Sequence, residues 1–162
     1  MTLRSLLYKL FSMLSWSAIT APLYIVHRSL CILSALYLLS ACQSDEETKR
    51  QKYITEGIML YRNNCANCHQ VDGAGLAGLY PPIANSDYLK ANKNAVICSI
   101  RHGQQGPIVV NGKTYNRPMP AQLQFSALEV AEITTYIYSQ WGDDKRLVTG
   151  KEAEAILANC KK

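Results

Sequence analysis

The sequence predicts an all-α domain whose helices are joined by long loops and accompanied by one small β-hairpin. Three observations lead there. Apolar residues recur at helical spacing in segments bounded by capping residues, at 54–65, 92–102 and 126–141. The stretches between them are long and carry Gly and Pro. One Asn111-Gly112 pair stands between β-formers, a hairpin signal. So little regular structure cannot bury a normal core, and the middle of the domain is expected to hold something other than side chains.

Residues 1–42 read as an export segment. They contain Arg4, Lys9 and Arg28 and no acid, whereas all 12 Asp and Glu lie beyond Cys42. Residues 30–39 form an apolar run that ends in Leu39-Ser40-Ala41-Cys42. A basic flank, a short apolar core and small residues at a cleavage point describe a signal peptide. The ending resembles the lipobox of bacterial lipoproteins, which implies lipid attachment at Cys42, a membrane contact through that lipid, and a place on the periplasmic side of a bacterial membrane. The rival reading is a transmembrane anchor, but residues 30–42 fall short of the roughly 20 apolar residues that a span needs. A second apolar stretch at 10–26 is broken by Pro22, and either Met1 or Met13 could start the chain.

The charge balance narrows the partners. The whole chain carries +5, but without Arg4, Lys9 and Arg28 it has 14 basic residues against 12 acids, a net of about +2. No Lys/Arg cluster with interleaved aromatics is present, so nucleic acid is excluded as a partner. Residues 43–52 (QSDEETKRQK) are polar and charged and read as a flexible tether spanning roughly 17 Å. The rest of the chain suits one small domain at 53–142 and a C-terminal extension helix within 143–162.

Within the domain, Ile54, Ile58, Tyr61 and Cys65 recur at i, i+4, i+7 and i+11, giving a helix that delivers a thiol. That thiol opens Cys65-Ala66-Asn67-Cys68-His69, a C-x-x-C-H pattern. On one helical turn two sulfurs so spaced reach both vinyl groups on one porphyrin edge, and the next imidazole becomes an iron ligand. The motif occurs once, so one covalent haem c with its iron is expected, held by Cys65, Cys68 and His69.

Asn92 can cap a helix ending at His102, with Val96 and Ile100 on one face and Gly103 as the stop; a hairpin follows over 109–115. Met119 lies between Pro118 and Pro120, which fix the backbone of a loop suited to hold a thioether. It is the candidate second axial ligand. Met59, six residues before Cys65 on the attachment helix, reads as core, and the rival ligand His102 sits at a helix end that suits a surface role. Ser126 and Glu129 form a capping box, with Phe125 and Val130 as its hydrophobic staple. The helix they open carries Val130, Ile133, Ile137 and Trp141 on one stripe and stops at Gly142. A last short helix begins at Thr149, with Glu152 in its first turn and Ala153, Ile156 and Leu157 facing inward.

The cysteines divide by role. Cys31 lies in the apolar run, Cys42 is the lipid site, and Cys65 with Cys68 hold haem. Cys98 and Cys160 remain, an even pair in an oxidising compartment: a disulfide between the C-terminal helix and the middle one, against the alternative of two separate buried thiols.

With these residues in place, the exported chain resembles the class I monohaem cytochromes c. The resemblance rests on CANCH, Gly73-Ala74-Gly75-Leu76, Tyr80-Pro81-Pro82-Ile83, Pro118-Met119-Pro120, and the helix from Ile133-Thr134-Thr135-Tyr136-Ile137 to Trp141. It covers about residues 53–142; the last twenty residues and the Cys98/Cys160 pair lie beyond the minimal family pattern. It is most similar to modules that exchange electrons with periplasmic partners such as copper nitrite reductases, dehydrogenases and terminal oxidases. The resemblance implies a cytochrome c-like helical fold around the haem. It further implies that the carbonyl of Pro81 or Pro82 accepts the proximal imidazole N–H, which fixes the tautomer. Ile58 and Tyr61 would meet the Ile133/Ile137 stripe where first and last helices cross. Tyr88, Arg101, Tyr115 and Asn116 are candidate propionate partners.

The function so read is one-electron transfer, not enzymatic catalysis. Two protein ligands leave no position for a small-molecule substrate, and Met/His ligation raises the potential. A redox protein partner would dock at the haem edge around CANCH, with weak salt dependence because two haem propionates bring the net charge of about +2 near zero. The alternatives are a gas-binding or sensing haem protein, and a haem subunit of a larger oxidase or reductase. No distal acid/base pair supports the first. A thioredoxin-type site would need a strand before the motif, and zinc a second ligand pair.

Overall fold

A computed structural model of the chain describes residues 27–34, 45–76 and 78–160. Cys42, the Leu39-Ser40-Ala41-Cys42 ending and the first two tether residues lie outside the described residues. Residues 27–34 belong to a separate unit and are helical and exposed, with the Ser34 hydroxyl donating to the Cys31 carbonyl at 2.9 Å. Among the described residues, no helix is long and apolar enough to cross a membrane.

The second unit is the all-α domain that the sequence predicts. Its elements are α1 (Asp45–Asn64), α2 (Ala66–His69), α3 (Asp87–Ala91), α4 (Lys93–His102), the antiparallel hairpin β1 (Ile108–Val110) and β2 (Lys113–Tyr115), α5 (Ala127–Trp141) and α6 (Gly150–Leu157). The Ser126–Glu129 capping box opens α5, and Phe125 and Val130 are both buried beside it. The Thr149 hydroxyl accepts from Glu152 N–H at the start of α6. Asn111 and Gly112 form the hairpin turn, both at positive φ.

Several expectations are corrected. Residues 45–52 are not a flexible tether but the first turns of α1. Asp45, Glu46 and Glu47 stand in its first turn, where they complement the helix dipole. Glu47 pairs with Arg50 at 2.8 Å and accepts from Gln51 at 2.7 Å, and Arg50 also donates to the Lys145 carbonyl. The buried line of α1 is also different: Tyr53, Gly57 and Tyr61, with Ile54 and Ile58 only half-buried. Gly57 explains this. A Cβ there would collide with the Glu132 carbonyl and come within 2.7 Å of the Tyr136 Cβ, so the bare backbone lets α1 and α5 cross at close range. Tyr61 then packs its ring on Tyr136 and Trp141, at 5.4 and 5.6 Å between centroids.

Helix α5 is buried all round from Val130 to Tyr138 rather than along one stripe, because α1, α4 and α6 all pack against it. Thr135 meets the extension by donating to the Val148 carbonyl and accepting from the Val148 N–H. Asn92 precedes α4 without capping it; its amide donates instead to the Tyr88 carbonyl, closing the short α3. Cys98 of α4 is joined to Cys160 by a disulfide, with 5.7 Å between Cα atoms.

Candidate functional site

Between these elements lies an apolar cleft with about 1040 Å³ of atom-free space, part of it open to solvent. Cys65, Cys68, His69 and Met119 all line it. Ile83, Leu89, Val96, Ile100, Ile133 and Ile137 supply apolar walls, from α3, α4, α5 and the loop after α2.

Local backbone geometry sets each of the four. Cys65 sits at the junction of α1 and α2, and its carbonyl accepts from the Cys68 and His69 N–H groups at 3.1 and 3.0 Å. One turn thus presents both thiols and the imidazole. Both thiols are free. Burial, and then the neighbouring Cys68, push the Cys65 thiol up to about 11.

His69 Nδ1 lies 3.0 Å from the Pro81 carbonyl oxygen. A carbonyl only accepts, so Nδ1 carries the proton and Nε2 keeps its lone pair. Burial lowers the imidazole pKa below its ordinary value, with the Pro81 contact opposing. The ring is therefore neutral with a bare nitrogen, the form that binds metal. Gly75 makes this geometry possible. It has φ of +71°, and a Cβ would meet the Pro81 carbonyl oxygen at 2.8 Å. Pro82 also lines the cleft but does not bond His69.

Met119 is held by the chain that follows α4. Its N–H donates to the Gln104 carbonyl at 2.9 Å and its carbonyl accepts from the Gln104 N–H at 3.0 Å, an isolated antiparallel bridge. The Arg101 carbonyl accepts from Gln122 N–H, so the loop around Met119 is pinned to the end of α4 on both flanks. Met59 and His102 are exposed and do not line the cleft. Gln104, and Arg117 stacked 5.9 Å over the Tyr80 ring, are site residues that sequence reasoning missed. Neither belongs to a motif or a period that would single it out.

Tyr88 and Tyr115 line the cleft, whereas Asn116 and Arg101 do not. Arg101 Nη1 is nonetheless buried without a hydrogen-bond partner among the described residues. The donor set fits a haem: two thiols, a neutral imidazole with a free nitrogen and a thioether share one roomy cleft with apolar walls.

Comparison with known proteins points the same way. A family model described as cytochrome c matches residues 54–141. A cytochrome c-552 of Thermus thermophilus is 33% identical over 96 residues, covering 57% of this chain and 72% of that protein. The cytochrome c subunit of a quinone alcohol dehydrogenase from Gluconacetobacter polyoxogenes is 29% identical over 94 residues, 54% of this chain but 19% of the subunit. A fructose dehydrogenase cytochrome subunit from Gluconobacter japonicus is 32% identical over 117 residues, 66% of this chain and 23% of the subunit.

Proposed function

The chain belongs to the cytochrome c family and carries covalent haem c, and from that premise we propose that it is a one-electron carrier with His/Met axial ligation. Cys65 and Cys68 supply the thioether sulfurs, and His69 and Met119 the two axial ligands. Haem iron, when bound, supplies a reversible one-electron change between its ferric and ferrous states. The residues do the rest. The Pro81 carbonyl holds the His69 ring in one tautomer and orientation. Gln104 fixes the Met119 backbone, and the isoleucines of α5 and the walls of α3 and α4 exclude water. A ligand set supplied wholly by the protein leaves no open position for a substrate, which separates a carrier from an enzyme.

The observation that carries this reading is that Met119 and His69 line one cleft together with both thiols. The setting we propose is the periplasmic side of a bacterial membrane, with Cys42 as the lipidated residue and a redox protein as partner. The likeness to two dehydrogenase cytochrome subunits supports a dehydrogenase as that partner. The test is the visible spectrum of protein matured by a haem-ligation system. A sharp thioether-haem α-band, a weak ferric absorbance at the red end from sulfur ligation, and no change of the reduced form under carbon monoxide are expected. A reduced spectrum that shifts under carbon monoxide would transfer the chain to the gas-binding class.

A further inference from the structure

Gly103 ends α4, and its N–H donates to the Ser99 carbonyl at 2.9 Å, which is the helix-stop role its place in the sequence suggests. The structure gives its α-carbon a second duty. The main chain of Met119, Pro120 and Ala121 lies against it. A Cβ at position 103 would stand 2.9 Å from the Ala121 nitrogen and 3.1 Å from the Pro120 carbonyl carbon, and nearer still to the Met119 carbonyl oxygen. All three obstructing atoms are backbone, so no side-chain rotation relieves the contact.

The backbone angles agree with the contact. Gly103 has φ of +77° and ψ of −178°, a region that glycine alone adopts without strain. The residues on either side hold the same segment. The Arg101 carbonyl accepts from the Gln122 N–H at 3.1 Å, and Gln104 exchanges bonds of 2.9 and 3.0 Å with Met119. Gly103 lies between these two ties, where the segment comes closest to α4. Non-bonded heavy atoms pack at about 3.5–4.0 Å, so a side chain at 103 must lift the segment by roughly 0.5–1 Å. A functional group has to be held within about 0.5 Å of its working position. Gln104 and Met119 both line the cleft, so the displacement falls on the cleft wall.

We propose that Gly103 is a positioning residue for Met119: its bare α-carbon is the seat on which the loop settles to bring the thioether to the iron. This rests on Met119 being an axial ligand. A side chain at 103 withdraws the sulfur and leaves a position on the iron open to an external ligand, and the potential falls because Met/His ligation no longer raises it. A glycine that merely ended α4 would change the melting temperature and leave the ligation untouched.

Visible spectra, a redox titration and carbon monoxide binding of Gly103→Ala holoprotein test this. The ferric red-end absorbance should be lost, the reduction potential should fall, and the reduced spectrum should now shift under carbon monoxide. Helix ellipticity should be unchanged, and the haem should stay attached on a denaturing gel. Gly112→Ala is the control for strain alone: its φ is +75°, but a Cβ there would meet nothing within 4 Å, and all three readouts should match wild type. If Gly103→Ala yields no holoprotein, Gln104→Pro takes its place. The proline ring replaces the N–H that donates to the Met119 carbonyl, so it moves the same carbonyl with no atom added at 103 and should show the same losses. Red-end absorbance and potential retained in Gly103→Ala, or in Gln104→Pro where that protein decides, overturn the seat. So does loss of the red-end band in Gly112→Ala. Each of these outcomes leaves Met119 ligation standing, whereas wild-type protein without the red-end band overturns that ligation and the seat with it.

Discussion

Gly57→Ala pits local preference against tertiary packing, and the two predict opposite signs. Alanine is favoured over glycine within a helix by about 1 kcal/mol, so propensity alone makes the variant more stable. The structure says otherwise. The new methyl would lie 2.7 Å from the Tyr136 Cβ and 2.8 Å from the Glu132 carbonyl carbon, and closer still to the Glu132 oxygen. Carbon atoms pack at about 3.5–4.0 Å, so α1 and α5 must part by roughly 1 Å along their crossing. Two of the three obstructing atoms are backbone, which cannot rotate away. The cost therefore falls at or beyond the upper end of the ~1–3 kcal/mol range for overpacking, leaving a net loss of about 2 kcal/mol. Separation also loosens the Tyr61 ring, 1% exposed, from Tyr136 and Trp141. Guanidinium unfolding of the holoprotein, followed by helix circular dichroism, measures the difference. Gly150→Ala is the control: its Cβ would meet nothing nearer than 3.5 Å, and the same change there should be neutral or stabilising by up to ~1 kcal/mol. A Gly57→Ala protein as stable as wild type would refute the close crossing.

Three further outcomes are expected. Met119→Ala should remove the ferric red-end absorbance and lower the reduction potential, while Met59→Ala leaves both in place; visible spectra and a redox titration decide. Removing the Cys98–Cys160 disulfide, which spans 62 positions, should cost about 4 kcal/mol in the chain-entropy model, a fall on the order of 15 °C in melting temperature read by calorimetry. Glu132 is 8% exposed, and burial first, then the charges of Glu56 and Glu129, raise its pKa. A carboxyl whose folded pKa is raised destabilises the fold when ionised and ceases to do so as pH falls below its unfolded value, near 4.3. Glu132→Gln should therefore be more stable than wild type at pH 7 and indistinguishable from it at pH 3, as denaturant melts at the two pH values would show.

How far the sequence could be read depended on whether an element carries its own cause. The Ser126–Glu129 box, the Thr149 cap and the Asn111-Gly112 turn are each closed by groups within a few residues, so local chemistry identifies them. Cys65, Cys68 and His69 are equally local, one turn of chain with one chemical use. The first turns of α1 are different. Their composition is that of a solvated linker, and part of what secures them is the Lys145 carbonyl, ninety-five positions away. Helix α3 is only five residues long, too short to show a period, and it exists because Ser86 accepts from the Leu89 N–H and Tyr138 donates to the Leu89 carbonyl from another helix. Gly57 reads as a weak point in a helical pattern until the partner backbone is beside it.

The same division runs through the site and explains its least legible part. Flanking prolines make Met119 conspicuous, but nothing local ties it to Gln104, whose backbone holds it from both sides. The choice between Pro81 and Pro82 likewise turns on Gly75, which brings the chain close enough for the Pro81 carbonyl to face His69. Thiols and imidazole are placed by one helix turn; Met119 is placed by two loops that must both dock on the helical frame. A disturbance of that frame should therefore reach Met119 before it reaches His69. In holoprotein titrated with mild denaturant, the red-end sulfur absorbance should fade ahead of helix ellipticity, while the thioether-haem α-band of the reduced form persists. Simultaneous loss of the sulfur band and the ellipticity would show that the Met119 loop and the helices are one cooperative unit.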